Sequence, residues 1–243
     1  MADFEITHES KPSEVLIAGF SNVGLAGLTA ADFLVTHLEL VETGHVDAHA
    51  LPSITPFVNG RPRHHTRLFS TDEIDLTVLV SELFVPIEAA NSFSQAVLGW
   101  VEDNGVEEVV VFSGVPIPHG PEEHRTFYVA TEDYPEHRLT DANVPPMGSG
   151  FLDGVNGALV ERGMNSDLRV SIIVTPVHRR TPDVEAAIRL VETVTTMYDV
   201  PVDVSPLETF ARELTQYYTE LHDRLEKESD RTDRSLGEDR MFM

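Results

Sequence analysis

Three groups of residues have types and spacings that could do chemistry. "GFSNVGLAG" places Gly19, Gly24 and Gly27 around Asn22 in a G-x4-G-x2-G pattern, after an apolar run and before a helical one. Turns of that kind can bring backbone amides to an anion at a helix N-terminus, or let a helix pack closely on a strand. Close packing is the commoner use. The segment has neither the G-x-G-x-x-G spacing of a dinucleotide site nor the Gly-Lys-Ser/Thr of a phosphate loop, and no lysine is near. Six histidines form the second group: His64, His65, His119, His124, His137 and His178. No pair among them stands at His-x-x-x-His spacing, and no HExxH occurs. His119 and His124 flank Glu122 and Glu123 in a Pro- and Gly-rich stretch; an exposed acidic loop is the simpler reading and a divalent-metal cluster the other. Outside these groups, Arg61, Arg63 and Arg67 lie together in the expected 59–67 hairpin. The third feature is Met241, Phe242 and Met243, three apolar residues after a run, 226–240, whose one large apolar side chain is Leu236. These types and spacings therefore assign no catalytic, metal-ligating or cofactor-binding residue, and Gly19, Asn22, Gly24 and Gly27 stand only as an anion or ligand turn.

The elements that must hold these residues follow from periodicity. "EVLIAGF", "IDLTVLVSEL", "VEEVVVFSGV" and "LRVSIIVTPV" are short runs rich in branched apolar residues and read as buried strands. Between them lie helical patterns: 23–40, 87–105 with Gly105 as a stop, 150–163, and 181–199 with Thr181 as N-cap and Pro182 at the first turn. A further strand is expected in 41–51, a hairpin around Asn59-Gly60, and one strand, "RTFYVAT", within the irregular stretch 116–150. Alternating strands and helices predict an α/β domain with a mostly parallel sheet covered on both faces. The expected organisation is a core over 1–204, an amphipathic helix over 205–228, and a flexible acidic tail over 229–243. Ser205, Pro206 and Glu208 carry the start signal of that helix, and Leu207, Phe210, Leu214, Tyr217, Leu221 and Leu225 form its stripe.

Composition narrows the function classes. The chain has 243 residues, 41 Asp+Glu against 17 Lys+Arg, and a formal net charge of -24. Such a surface repels nucleic acid and anionic membrane. The acids are scattered rather than confined to one tail, as in a protein adapted to a salt-rich cytoplasm. The absence of cysteine excludes disulfides, thiolate metal sites and a cysteine nucleophile. The N-terminus has no signal-peptide pattern, and no run reaches the roughly 20 apolar residues of a membrane span, so a cytoplasmic location is expected.

Taken in order, "GFSNVGLAG", "PPMGSGFLDGVNGALVERG" and "RRTPDVEAAIRLVETVTTMYDVPVD" resemble segments of the archaeal proteasome assembly chaperone family across roughly residues 1–225. The resemblance implies a three-layer α/β/α sandwich of nucleoside-phosphorylase- or hydrolase-like architecture, with a mostly parallel mixed sheet. It also implies homo-oligomers, no catalytic residues, and docking onto the 20S proteasome core particle through a C-terminal hydrophobic–tyrosine–any-residue motif. Met241 fits the hydrophobic position, Phe242 stands where tyrosine would be, and Met243 is the third residue; the phenol hydroxyl is missing. An enzyme using the Gly19–Gly27 turn and the histidine loop, or an oligomeric scaffold, are the alternative readings. The charge makes its own prediction. At about 1 M salt the Debye length is about 3 Å and self-repulsion is screened. Transfer from molar to millimolar potassium chloride is expected to lower the melting temperature by several degrees in thermal melts.

Overall fold

The computed structural model describes residues 4–49, 51, 54–118, 120, 123–140, 142–178 and 182–212. Ten strands run in chain order: β1 (Phe4–His8), β2 (Val15–Phe20), β3 (Val41–Ala48), β4 (Phe57–Val58), β5 (Arg61–Pro62), β6 (Thr66–Thr71), β7 (Ile74–Ser81), β8 (Glu108–Val115), β9 (Phe127–Ala130) and β10 (Arg169–Pro176). The helices are α1 (Ala26–His37), α2 (Ile87–Asn104), α3 (Gly154–Gly163) and α4 (Val184–Tyr198), with a π-helical turn at Pro135–Leu139. Eight strands form one sheet in the order β1-β3-β6-β7-β2-β8-β10-β9, and β4 and β5 form a separate hairpin. The central four, β7-β2-β8-β10, are mutually parallel. The pairs β6–β7, β3–β6, β1–β3 and β9–β10 are antiparallel. Strand β3 therefore shares the direction of the parallel core, and five of the eight strands point one way.

Side-chain alternation sorts each buried strand between two helical layers. Leu16, Ala18 and Phe20 of β2, Val109 and Val111 of β8, and Val170, Ile172 and Val174 of β10 pack with Phe93, Val97 and Val101 of α2 and Leu159 of α3. The opposite face meets α1, which contacts β2, β7 and β8, and α4, which contacts β10 and α1. This is the α/β/α layering expected. The buried strands read as unbroken apolar runs because both of their faces are covered.

Several local expectations shift. Helix α1 begins at Ala26 rather than at 23, and α3 at Gly154 rather than at 150. Helix α4 begins at Val184, and its cap is Asp183, whose Oδ1 accepts from the Ala186 amide at 3.0 Å. Thr181 lies outside the described residues. A carboxylate at the N-cap serves the first-turn amides and also the positive end of the helix. The edge strand β1 is not evident in "MADFEITHES", which has only Phe4 and Ile6 as its alternating pair. The Asn59-Gly60 turn is as expected: both residues have positive φ, as a two-residue hairpin loop of primed type requires. Among the described residues no helix is long and apolar enough to cross a membrane.

The chain divides into two units, Met1–Val204 and Ser205–Met243. In the second, residues 205–212 are helical, with the Thr209 hydroxyl donating to the Ser205 carbonyl at 2.9 Å. The remainder of the expected stripe, from Leu214, lies outside the described residues, as does the tail.

Close packing of α1 on the sheet depends on two glycines. A Cβ at Gly19 would lie 2.3 Å from the Gly27 carbonyl oxygen, and one at Gly27 would lie 2.5 Å from the Phe112 carbonyl oxygen. Both clashes are with backbone, which cannot rotate away. Gly27→Ala is expected to cost about 1–3 kcal/mol in urea denaturation. Gly99→Ala, in the middle of α2 where an added Cβ meets nothing within 4 Å, is expected to stabilise by about 0.5–1 kcal/mol.

Candidate functional site

The chain leaves β2 toward β3 on one side of the sheet and leaves β8 toward β9 and β10 on the other. Adjacent parallel strands whose connections diverge open a crevice at their carboxyl ends, the usual ligand position in open α/β sheets. Here that crevice has a volume of about 450 Å³. Ser21 and Asn22 after β2, Ser113 at the end of β8, and Asp153 and Asn156 at the start of α3 line it. The Ser21 hydroxyl donates to the Ser81 carbonyl at 3.2 Å, and Asn156 Nδ2 donates to Ser113 Oγ at 3.1 Å.

The glycine turn sits at its edge. Asn22 lines the crevice, while its carbonyl accepts from the Leu25 amide at 3.0 Å. Gly24 has φ of +77°, and a Cβ there would lie 2.9 Å from Val177 Cβ. Its carbonyl accepts from the Asp183 amide at 2.8 Å, tying the α1 entry to the α4 cap. The space beside Gly19, Gly24 and Gly27 is thus taken by protein atoms, which accounts for all three glycines by packing.

The rim is apolar and exposed. Phe84, between β7 and α2, and Ile87, the first residue of α2, are 65% and 69% exposed, and Phe151 before α3 is fully so. Val23 adds to the same edge. Among the described residues, Asp153 is the one charged residue lining the crevice. Sequence periodicity did not reveal this rim, because isolated Phe84 and Phe151 fall where strand and helix patterns break. Phe151 was expected within a helix and lies ahead of one.

Most of the other candidates are dispersed by the fold, although the His124 ring meets that of His178 edge-on, with centroids 6.1 Å apart. His119 and Glu122 lie outside the described residues; Glu123 Oε2 accepts from the Gly120 amide at 2.9 Å. Arg63 and Arg67 both reach Glu82, the second at 3.5 Å, while Arg61 is exposed. His178 is held by Asp183 Oδ2, which accepts from its amide at 2.9 Å and contacts its Nδ1 at 2.8 Å. His137 belongs to a buried network at the amino end of β8, away from the crevice. There Glu108 accepts from Arg138 Nη2 at 2.6 Å and Nε at 3.2 Å, from Tyr198 Oη at 2.9 Å, and contacts His137 Nε2 at 2.7 Å. Tyr134 Oη stands 3.1 Å from Tyr198 Oη and supplies the proton, since that of Tyr198 is given to Glu108.

This network is structural in its energetics. Burial alone would raise the Glu108 pKa, but the hydrogen bonds and charge of Arg138, with the Tyr198 and His137 bonds, outweigh burial and hold it below the ordinary carboxylate value. Asp183 is likewise lowered: burial opposes ionisation, and the His178 and Ala186 amides and the His178 ring prevail. Burial pushes Tyr134 and Tyr198 upward, so both stay protonated donors.

The fold and the crevice define a class: a three-layer α/β protein with a mixed sheet, a switch-point crevice and an apolar rim. Within that class the chain belongs to the PAC2 family, whose model matches residues 16–222. Among solved structures it is similar to Pyrococcus furiosus PbaA, titled an archaeal homolog of proteasome-assembly chaperone. The TM-score is 0.86 at 20% identity, covering 99% of this chain and 100% of that one. It is also similar to P. furiosus PbaB, titled an archaeal proteasome activator, with a TM-score of 0.79 at 18% identity over 91% of this chain and 100% of that one. A Thermoplasma acidophilum protein of unknown function matches with a TM-score of 0.75 at 23% identity, covering 89% and 91% of the two chains. No curated protein matches the sequence significantly.

The lowered carboxylates set an acid limit on stability. A carboxyl depressed in the folded state stabilises above its unfolded pKa, and that contribution is lost as pH falls through the folded value. Stability is therefore expected to fall below roughly pH 4, with Glu108→Gln giving a shallower acid dependence in denaturant melts. Glu108→Ala, which leaves Arg138 without its partner, is expected to cost about 3 kcal/mol at neutral pH.

Proposed function

We propose that this chain is a non-enzymatic partner of the 20S proteasome core particle, acting as an assembly chaperone or activator-like protein. It docks through Met241, Phe242 and Met243. The observation that carries the reading is the family membership together with full-length fold likeness to relatives titled a proteasome-assembly chaperone homolog and a proteasome activator. The hydrophobic–aromatic–any-residue ending supplies the contact. In this reading the tail enters a pocket on the core particle and its apolar side chains leave water.

Magnitude decides the architecture. Burying a large apolar side chain contributes about 1.5–3 kcal/mol before ordering costs. One tail is therefore weak, and useful affinity needs several tails on one particle, through effective concentration. A homo-oligomer provides them. The crevice rim suits a self-contact: copies with a formal charge of -24 repel one another except across an uncharged apolar surface, and Phe84, Ile87 and Phe151 supply one. The polar groups elsewhere with side chains of catalytic type, Glu108, His137, Asp183 and His178, are already committed to mutual bonds. A cytoplasmic site of action in a salt-rich cell fits the acidic composition.

Deletion of Met241–Met243 is expected to abolish co-purification with 20S core particles in molar salt while leaving the melting temperature unchanged. Retained binding by the truncated chain overturns the docking role. Phe242→Tyr, restoring the phenol, is expected to tighten binding. Phe84→Asp with Phe151→Glu is expected to lower the mass measured by sedimentation and, with it, core-particle affinity.

A further inference from the structure

The face of the sheet toward α1 and α4 carries polar side chains at its β1–β3–β6 end. Glu5 stands in register with Asp47, and Thr7 and Arg67 with His45, so these residues share that face. On strand β3 the two-residue period puts His45 and Asp47 side by side. His64, on the segment following β5, lays its ring on that of His45, with centroids 3.6 Å apart and planes 14° from parallel. His45 Nε2 is 3.5 Å from Asp47 Oδ2, and His64 Nδ1 is 3.8 Å from Asp47 Oδ1. One ligand atom from each of the three lies within 4.8 Å of both others.

We propose that His45, Asp47 and His64 bind a divalent first-row transition-metal ion of the zinc type. Two imidazole nitrogens and one carboxylate oxygen are the donor set such ions favour, whereas magnesium and calcium take oxygen-rich shells. Donors around one zinc ion, each about 2.0–2.2 Å from it, stand roughly 3.3 Å apart. The two carboxylate–imidazole separations, His45 to Oδ2 and His64 to Oδ1 of Asp47, are within half an ångström of that, and a small movement of the half-exposed His64 on its loop brings both rings to one oxygen. Arg63 and Arg67 are nearby cations, and both are directed to Glu82, the second at 3.5 Å. The carboxylate of Glu5, across from Asp47, adds negative potential. Three protein ligands leave coordination positions for water, so this is an exchangeable site rather than a closed structural one. The strongly acidic surface concentrates divalent cations around it.

The test uses the full chain without a histidine tag, stripped with chelator and titrated with zinc chloride by calorimetry in molar potassium chloride. One saturable site per chain is expected, and excess magnesium does not compete. A His45→Gln, His64→Gln double variant is expected to lose roughly tenfold or more in affinity. On the wild-type chain, imidazole resonances of His45 and His64 are expected to shift on zinc addition, while those of His137 and His178 stay in place. The absence of saturable binding, wild-type affinity in a folded double variant, or shifts at other histidines instead would overturn the site.

Discussion

The contact that the rest of the core depends on is the seating of α1 on β2 and β8. Gly19 and Gly27 remove two side chains where helix and sheet backbone meet, and the Gly27 position faces the Phe112 carbonyl at a distance no Cβ could tolerate. That approach lets α1 lie over the parallel strands and brings its entry turn beside Val177 and the α4 cap at Asp183. The two helices of this layer are thereby linked by backbone as well as by apolar burial. The crevice exists because the chain departs from β2 and β8 in opposite directions immediately beyond this contact.

How much of this was legible in the sequence follows from which forces leave a local signature. Strands β2, β7, β8 and β10 are buried on both faces and announce themselves as apolar runs. Gly105 and the Asn59-Gly60 turn announce themselves by residue type, because positive φ favours few others. Strand β1 was silent: an edge strand with one buried face needs only alternate apolar residues, and five residues offer too few. The α4 cap went to Asp183 rather than Thr181 because the carboxylate serves the helix and His178 together, a tertiary gain that local propensity does not contain.

The site was legible in a different degree. The glycine turn was visible as a pattern, with its packing and anion readings both open; the geometry accounts for its glycines by packing and leaves Asn22 lining the crevice. The apolar rim was invisible, since Phe84, Ile87 and Phe151 come together only through the strand order. The group His45, Asp47 and His64 escaped a search for helical metal spacing because its first two members are two apart on a strand and the third arrives through a hairpin. Glu108 carries no signal of its own within the strand segment "VEEVVVFSGV". Its importance lies in Arg138, His137 and Tyr198, none of them near it in sequence.

In the reading we propose, the chain is a tail-mediated partner of the core particle, and its folded domain serves to gather several tails. The chain has no cysteine, so a single one placed at Met243, where the motif accepts any residue, reports that contact without background. The decisive measurement is crosslinking from a photoreactive label at Met243→Cys to purified 20S core particles in molar salt. The account predicts crosslinks into core-particle subunits that are lost when Met241 and Phe242 are both changed to Ser. Absence of crosslinks, or crosslinks undiminished by that double change, would contradict it.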